Sequence, residues 1–201
     1  MVKKAIYIAF FIYGCLSICK YYNYGEYSLV GGDWPKDTYY YSAIKQAVTD
    51  NHFPFFISKH FHSSNYLIGH PEVIISPQLY LLKFVSVERF FWYDTLFCFA
   101  LGYVGLVKIF MRYSLSPVGC FLLLLLVCFN GYPLAHISGG HSMWIGYYLL
   151  PWFLYLLLTL LDGSDSKMLY LHFGVFFLLM FMQGSFHICN HLKNKLINLT
   201  H

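Results

Sequence analysis

Five apolar runs set the plan of this chain, the first two far apart and the others separated by short polar or charged breaks. The first, Ala5 to Cys19, follows Met1-Val2-Lys3-Lys4. A basic start and an apolar core also describe a signal sequence, but no Ala-x-Ala-like cleavage site follows, so the run predicts an uncleaved first span. The second run, about Tyr93 to Met111, has the length that a span needs, since roughly 20 residues at ~1.5 Å each cross the ~30 Å hydrocarbon core. Leu115 to Phe129, nearly all Leu, Val and Phe, predicts a third span. Met143 to Leu161 predicts a fourth, kinked at Pro151, and Met168 to Met182 a fifth. Lys3 and Lys4 precede the first span, and Lys108 and Arg112 close the second. The positive-inside rule puts those ends in the cytoplasm. Alternation then carries Gly31 to Asp37, Asn130 to His141 and Gln183 to His187 to the outer face.

The pattern changes between the first two spans. Gly31-Gly32-Asp33-Trp34-Pro35-Lys36-Asp37 reads as a polar turn: two glycines let the backbone bend sharply, Pro35 stiffens it, and Asp33 is held between a glycine and an indole. Such a turn presents one carboxylate. Asp37 reads as the cap of the helix that follows. In that helix Tyr40, Ala43, Ile44, Ala47 and Val48 fall three and four apart with Lys45 and Gln46 off their face, an amphipathic pattern whose tyrosines suit the headgroup layer. Val73 to Val87, interrupted by Pro77 and Lys83, is too short and too broken to span and predicts an interfacial or re-entrant helix. The expected fold is therefore all-α transmembrane. It has about five membrane-spanning helices and a long first extracytoplasmic loop carrying amphipathic and interfacial helices. Residues 1–188 read as a single polytopic domain and 189–201 as a polar tail.

Composition agrees. The 201 residues are 58% apolar and only 11% charged, with a mean hydropathy of +0.54, against about 25% charged in soluble domains. The net charge of +4 comes from scattered lysines, with no basic block to bind nucleic acid. The six cysteines show no CxxC or Cys/His ligand spacing and read as small core residues.

With this topology, four polar groups from distant parts of the chain share the outer face: Asp33 with Asp37, His70 with Glu72, His136 with His141, and Gln183 with His187. Taken singly, each histidine is more simply a membrane-edge residue bonded to backbone or water. Their convergence on one face points instead to one extracytoplasmic pocket. Such a pocket suits an anionic headgroup, with histidines donating to phosphate oxygens and a carboxylate taking a proton from a hydroxyl. It equally suits a divalent metal such as zinc or manganese. Asp94, near the outer end of the second span, reads as a partner for Arg89 outside the pocket.

The short first span, the acidic motif opening the first outer loop (Gly32-Asp33 and Asp37-Thr38-Tyr39-Tyr40) and the surface helix resemble GT-C fold membrane glycosyltransferases, which take sugars from polyprenyl-phosphate carriers. Gly69-His70-Pro71-Glu72, Ser76-Pro77 and the stretch from Gly140-His141 to Pro151-Trp152 are similar in style to bacterial members, including proteins related to lipoteichoic-acid glycosylation. The resemblance implies an inverting sugar transfer outside the cytoplasmic membrane. It makes Asp33 the general base and assigns the outer histidines, with or without a metal, to the departing polyprenyl phosphate. Members of the family commonly have eight or more spans, and the abrupt change after Ile188 reads as a truncation or frameshift. Two other classes compete: a small transporter or metal-handling protein that gathers a cation on its histidines, and a non-catalytic membrane subunit that contacts a partner through the aromatic outer loop.

Overall fold

A computed structural model describes residues 2–51, 76–163 and 166–185, and among these every regular element is helical. Helix α1 (Val2–Tyr21) is followed by α2 (Trp34–Thr49). A 3-10 helical segment, Pro77–Lys83, leads into the long α3 (Val87–Arg112). Next come α4 (Pro117–Cys128), α5 (Gly131–Ser138), a further 3-10 segment (Ser142–Leu149), α6 (Leu150–Leu161) and α7 (Lys167–Met182).

Four stretches are long and apolar enough to cross a membrane: Lys3–Tyr21, Val87–Arg112, Pro117–Ser138 and Ser142–Leu161. The protein is accordingly a membrane protein. The expected fifth span is the apolar α7, whose 16 residues reach ~24 Å and fall short of the other four.

α3 is the central post. Its buried stripe runs through Phe90, Phe91, Asp94, Cys98, Phe99, Gly102, Gly105, Leu106 and Ile109, the three-and-four spacing of one helix face. α1 runs antiparallel to it, with Tyr7 packing on Phe110 near one end and Tyr22 lying 2.9 Å from Thr95 near the other. α6 runs parallel to α3. A Cβ at Gly102 would strike the Tyr148 carbonyl, and one at Gly105 the Trp152 backbone, so these two glycines let the chains meet at backbone distance. At the end where both helices finish, Arg112 donates to Thr159 at 2.9 Å and to the Leu158 carbonyl at 3.2 Å, and pairs with Asp162. α7 returns beside α6, stacking Phe176 on Trp152 and setting Phe173 edge-on to Phe153.

Two boundaries differ from the sequence expectation. α2 starts at Trp34 with Pro35 in its first turn, where a missing N–H and a fixed φ cost nothing. Asp33, not Asp37, therefore occupies the cap position, and Asp37 lies on the core-facing stripe with Trp34, Tyr41, Ile44 and Val48. The stretch after Phe129, which the sequence reads as a loop, is helical. Asn130 accepts from the Tyr132 N–H at 3.1 Å and starts a new helix, α5, and its amide also donates to the Leu126 carbonyl at 3.0 Å and meets the Tyr147 hydroxyl at 3.2 Å. Asn130→Ala, which removes this cap, is expected to cost ~1 kcal/mol and to lower the melting temperature in detergent by roughly 2–4 °C.

Candidate functional site

The end of the bundle opposite Arg112 gathers the C-terminus of α1, the N-termini of α2 and α3, and α5. Two polar clusters lie there. The first is built by two glycine turns that interlock. Gly32 has φ +59° and Gly140 φ +91°, both in the left-handed region that favours glycine. A Cβ on Gly32 would strike the Gly139 carbonyl, and a Cβ on Gly140 would strike the Asp33–Trp34 backbone. Between them, the Asp33 N–H donates to the Gly139 carbonyl at 2.8 Å. Trp34 anchors the turn from below: it is 1% exposed and packs edge-on to Phe91 with ring centres 4.9 Å apart.

This interlock brings Asp33 to the histidines. Asp33 Oδ2 lies 3.6 Å from His141 Nε2 and 3.6 Å from Lys36 Nζ, inside ion-pair reach but longer than a hydrogen bond. His141 Nδ1 lies 3.2 Å from His136 Nδ1. α5 carries Tyr132 and His136 four residues apart on one face. The His136 ring stacks on Trp144 at 4.5 Å and 10°, with Tyr132 edge-on to Trp144.

With its Nε2–H facing the Asp33 carboxylate, a neutral His141 has an acceptor at Nδ1, and His136 must donate its Nδ1–H there. That leaves the lone pair on His136 Nε2 and half of the Asp33 carboxylate surface for a ligand. The cluster can therefore take a proton at either end, and Lys36 adds one positive charge beside it. Such a row accepts a hydroxyl proton, and once His136 Nε2 is protonated it can donate to an anionic oxygen.

Asp33, His136 and His141, three of the residues expected in the pocket, thus stand together. Asp37 is buried one turn into α2, on its core side. Gln183 is placed elsewhere, in the second cluster. His70, Glu72 and His187 lie outside the described residues. Among the described residues no group of three or more His, Cys, Asp or Glu side chains is close enough to hold a metal ion.

The second cluster centres on Asp94, which is 0% exposed. Its Oδ1 accepts from Gln78 Nε2 at 3.2 Å and from Gln183 Nε2 at 2.9 Å, and Gln183 Nε2 also lies 2.8 Å from Cys98 Sγ. Arg89 is exposed, on the other side of α3, so the expected Arg89–Asp94 pairing does not form. Five residues along a helix turn a side chain ~140° away. A signal for this burial was present in the sequence, since Asp94 falls three and four residues from Phe91, Phe90 and Cys98. Just past α1, burial pushes the Tyr22 phenol well above its ordinary range, so it remains a neutral hydroxyl beside Thr95. Comparison with protein-family models, with curated proteins and with solved structures gives no match for this chain.

Proposed function

We propose that the protein is a membrane glycosyltransferase that moves a sugar from a polyprenyl-phosphate carrier to an acceptor at the outer face of the cytoplasmic membrane, the N-terminus of α1 being cytoplasmic. The observation that carries this reading is the row Asp33, His141 and His136, drawn from opposite parts of the chain to the end of the bundle away from Arg112. In such a transfer the acceptor oxygen bonds to the anomeric carbon, the bond from that carbon to the phosphate oxygen breaks, and the acceptor's proton needs a base. Asp33, half exposed at the cap of α2, takes that proton. His141, its Nε2–H turned to the carboxylate, orients it. Lys36, and His136 once it carries a proton at Nε2, offer N–H groups to the phosphate that departs with the carrier. The amphipathic α2, with Tyr39 exposed, suits the headgroup layer, where a lipid-borne donor holds its phosphate.

The test is to reconstitute the protein in liposomes with a radiolabelled hexosyl polyprenyl phosphate and follow release of the free carrier phosphate. His141→Gln is expected to slow release by roughly tenfold to a hundredfold, because the base loses its orienting partner. Equal release from wild type, His141→Gln and empty liposomes would sink the reading.

A further inference from the structure

Asp94 is the least exposed carboxyl among the described residues, and the row at Asp33 makes no use of it. Both of its hydrogen-bond donors, Gln78 and Gln183, reach the same oxygen, Oδ1. Its other oxygen, Oδ2, is buried without a partner among the described residues, and so is the carbonyl oxygen of Gln183, a residue itself only 1% exposed. An ionised carboxylate enclosed in a bundle is costly unless a cation meets it. Among the described residues, the titratable groups that face Asp94 are Cys98, one turn along α3, and Tyr22, just past α1; neither carries a positive charge. From the Pro77–Lys83 segment and from α7 come only the uncharged Gln78 and Gln183. Lys83 is turned away to Asn51 at 2.9 Å, and Arg89 is exposed.

The two orphaned atoms are both acceptors, and they belong to the two groups already joined by the Gln183 N–H. One proton on Asp94 Oδ2 satisfies both. We infer that Asp94 and Gln183 form a proton-binding site inside the bundle, a cyclic acid–amide pair in which Gln183 donates its N–H to Oδ1 and Asp94 donates its Oδ2–H to the Gln183 carbonyl. The pair closes two hydrogen bonds between α3 and the residue that follows α7, and Gln78 ties the Pro77–Lys83 segment to the same carboxyl. One proton therefore holds three segments that are far apart in sequence. When it leaves, the pair loses the bond from Oδ2–H and keeps only the Gln183 N–H to Oδ1.

Infrared difference spectroscopy of the full chain at neutral pH, wild type against Asp94→Asn, tests the site. The carbonyl stretch of a protonated carboxyl is expected in the wild type, shifted by carbon-13 labelling of aspartate and absent from Asp94→Asn. Because Asn keeps a donor where the acid has its O–H, Asp94→Asn should melt within about 2 °C of wild type. Gln183→Leu, which leaves the acid without its amide, should melt roughly 5 °C lower and move the carbonyl band to the frequency of an unbonded acid. A wild-type spectrum whose difference from Asp94→Asn contains only carboxylate bands overturns the proposal. So does a protonated-acid band that emerges only when sodium is withdrawn, since the neutralising ion is then the metal cation. A Gln183→Leu band unchanged in frequency would also overturn it.

Discussion

On the proposed function, Asp33→Asn is expected to lower sugar transfer by about a hundredfold to ten-thousandfold, the range that a positioned general base contributes, while leaving the four long apolar helices in place. The change keeps the size and the cap position of the side chain. It removes the charge and with it the affinity for a proton. The backbone bond from residue 33 to the Gly139 carbonyl uses the main-chain N–H, so the interlock with α5 survives the substitution. Loss of the charge also withdraws the counter-ion that lies 3.6 Å from both His141 and Lys36. Both of those groups are partly exposed, so the cost to stability is small, as for most surface ion pairs. The measurement is carrier-phosphate release beside a melting curve on the same preparation. A rate lowered a hundredfold with an unmoved melting temperature is the expected pair of results. An unchanged rate removes Asp33 from the chemistry and leaves the cluster to a binding role.

Much of this arrangement can be read from the sequence, and the reasons are physical. Leu115 to Phe129 and Met143 to Leu161 have almost no side chain that water would hold, so hydropathy alone locates them. The meeting of Asp33 with His136 and His141 follows from counting alternate faces, because span direction decides which loops share a side. Depth inside the bundle is harder. Gln183 lies at the end of an apolar helix beside Gly184 and Ser185, and nothing in that composition tells a headgroup-facing amide from one buried against Asp94. Asp94 itself was legible through its place in the α3 stripe, but its nearness in sequence to Arg89 suggests a pairing that helix geometry forbids. α5 was obscured because Asn130 to His141 reads as a loop, whereas Gly131 and Pro133 are tolerated in the first turn of a helix and Asn130 supplies the cap.

Gly140→Val is expected to produce the largest combined loss: a melting temperature lower by roughly 10 °C and transfer reduced about a hundredfold in whatever protein remains folded. Two effects add at this position. The backbone has φ +91°, a conformation disfavoured for any residue with a Cβ and most of all for a β-branched one. The new Cβ also points at the Asp33–Trp34 backbone, which cannot yield as a flexible side chain would. Strain of ~1–3 kcal/mol and a comparable cost for parting the two turns make ~2–6 kcal/mol together, equivalent to roughly 4–24 °C in a chain of this size. The loss of transfer follows from position alone, because Asp33 is held against His141 only while residue 33 keeps its bond to Gly139, and a displacement near 1 Å costs about a hundredfold. Gly140→Ala should fall between wild type and Val in both readouts, since it adds the Cβ without the branch. Wild-type melting and transfer in Gly140→Val would mean that the turns do not interlock and that the Asp33–His141 approach is not fixed by them. If transfer is lost in Gly140→Val while melting is unchanged, the close approach serves the site rather than the fold, and the same split should then be found for Gly32→Val, which meets the Gly139 carbonyl from the other side.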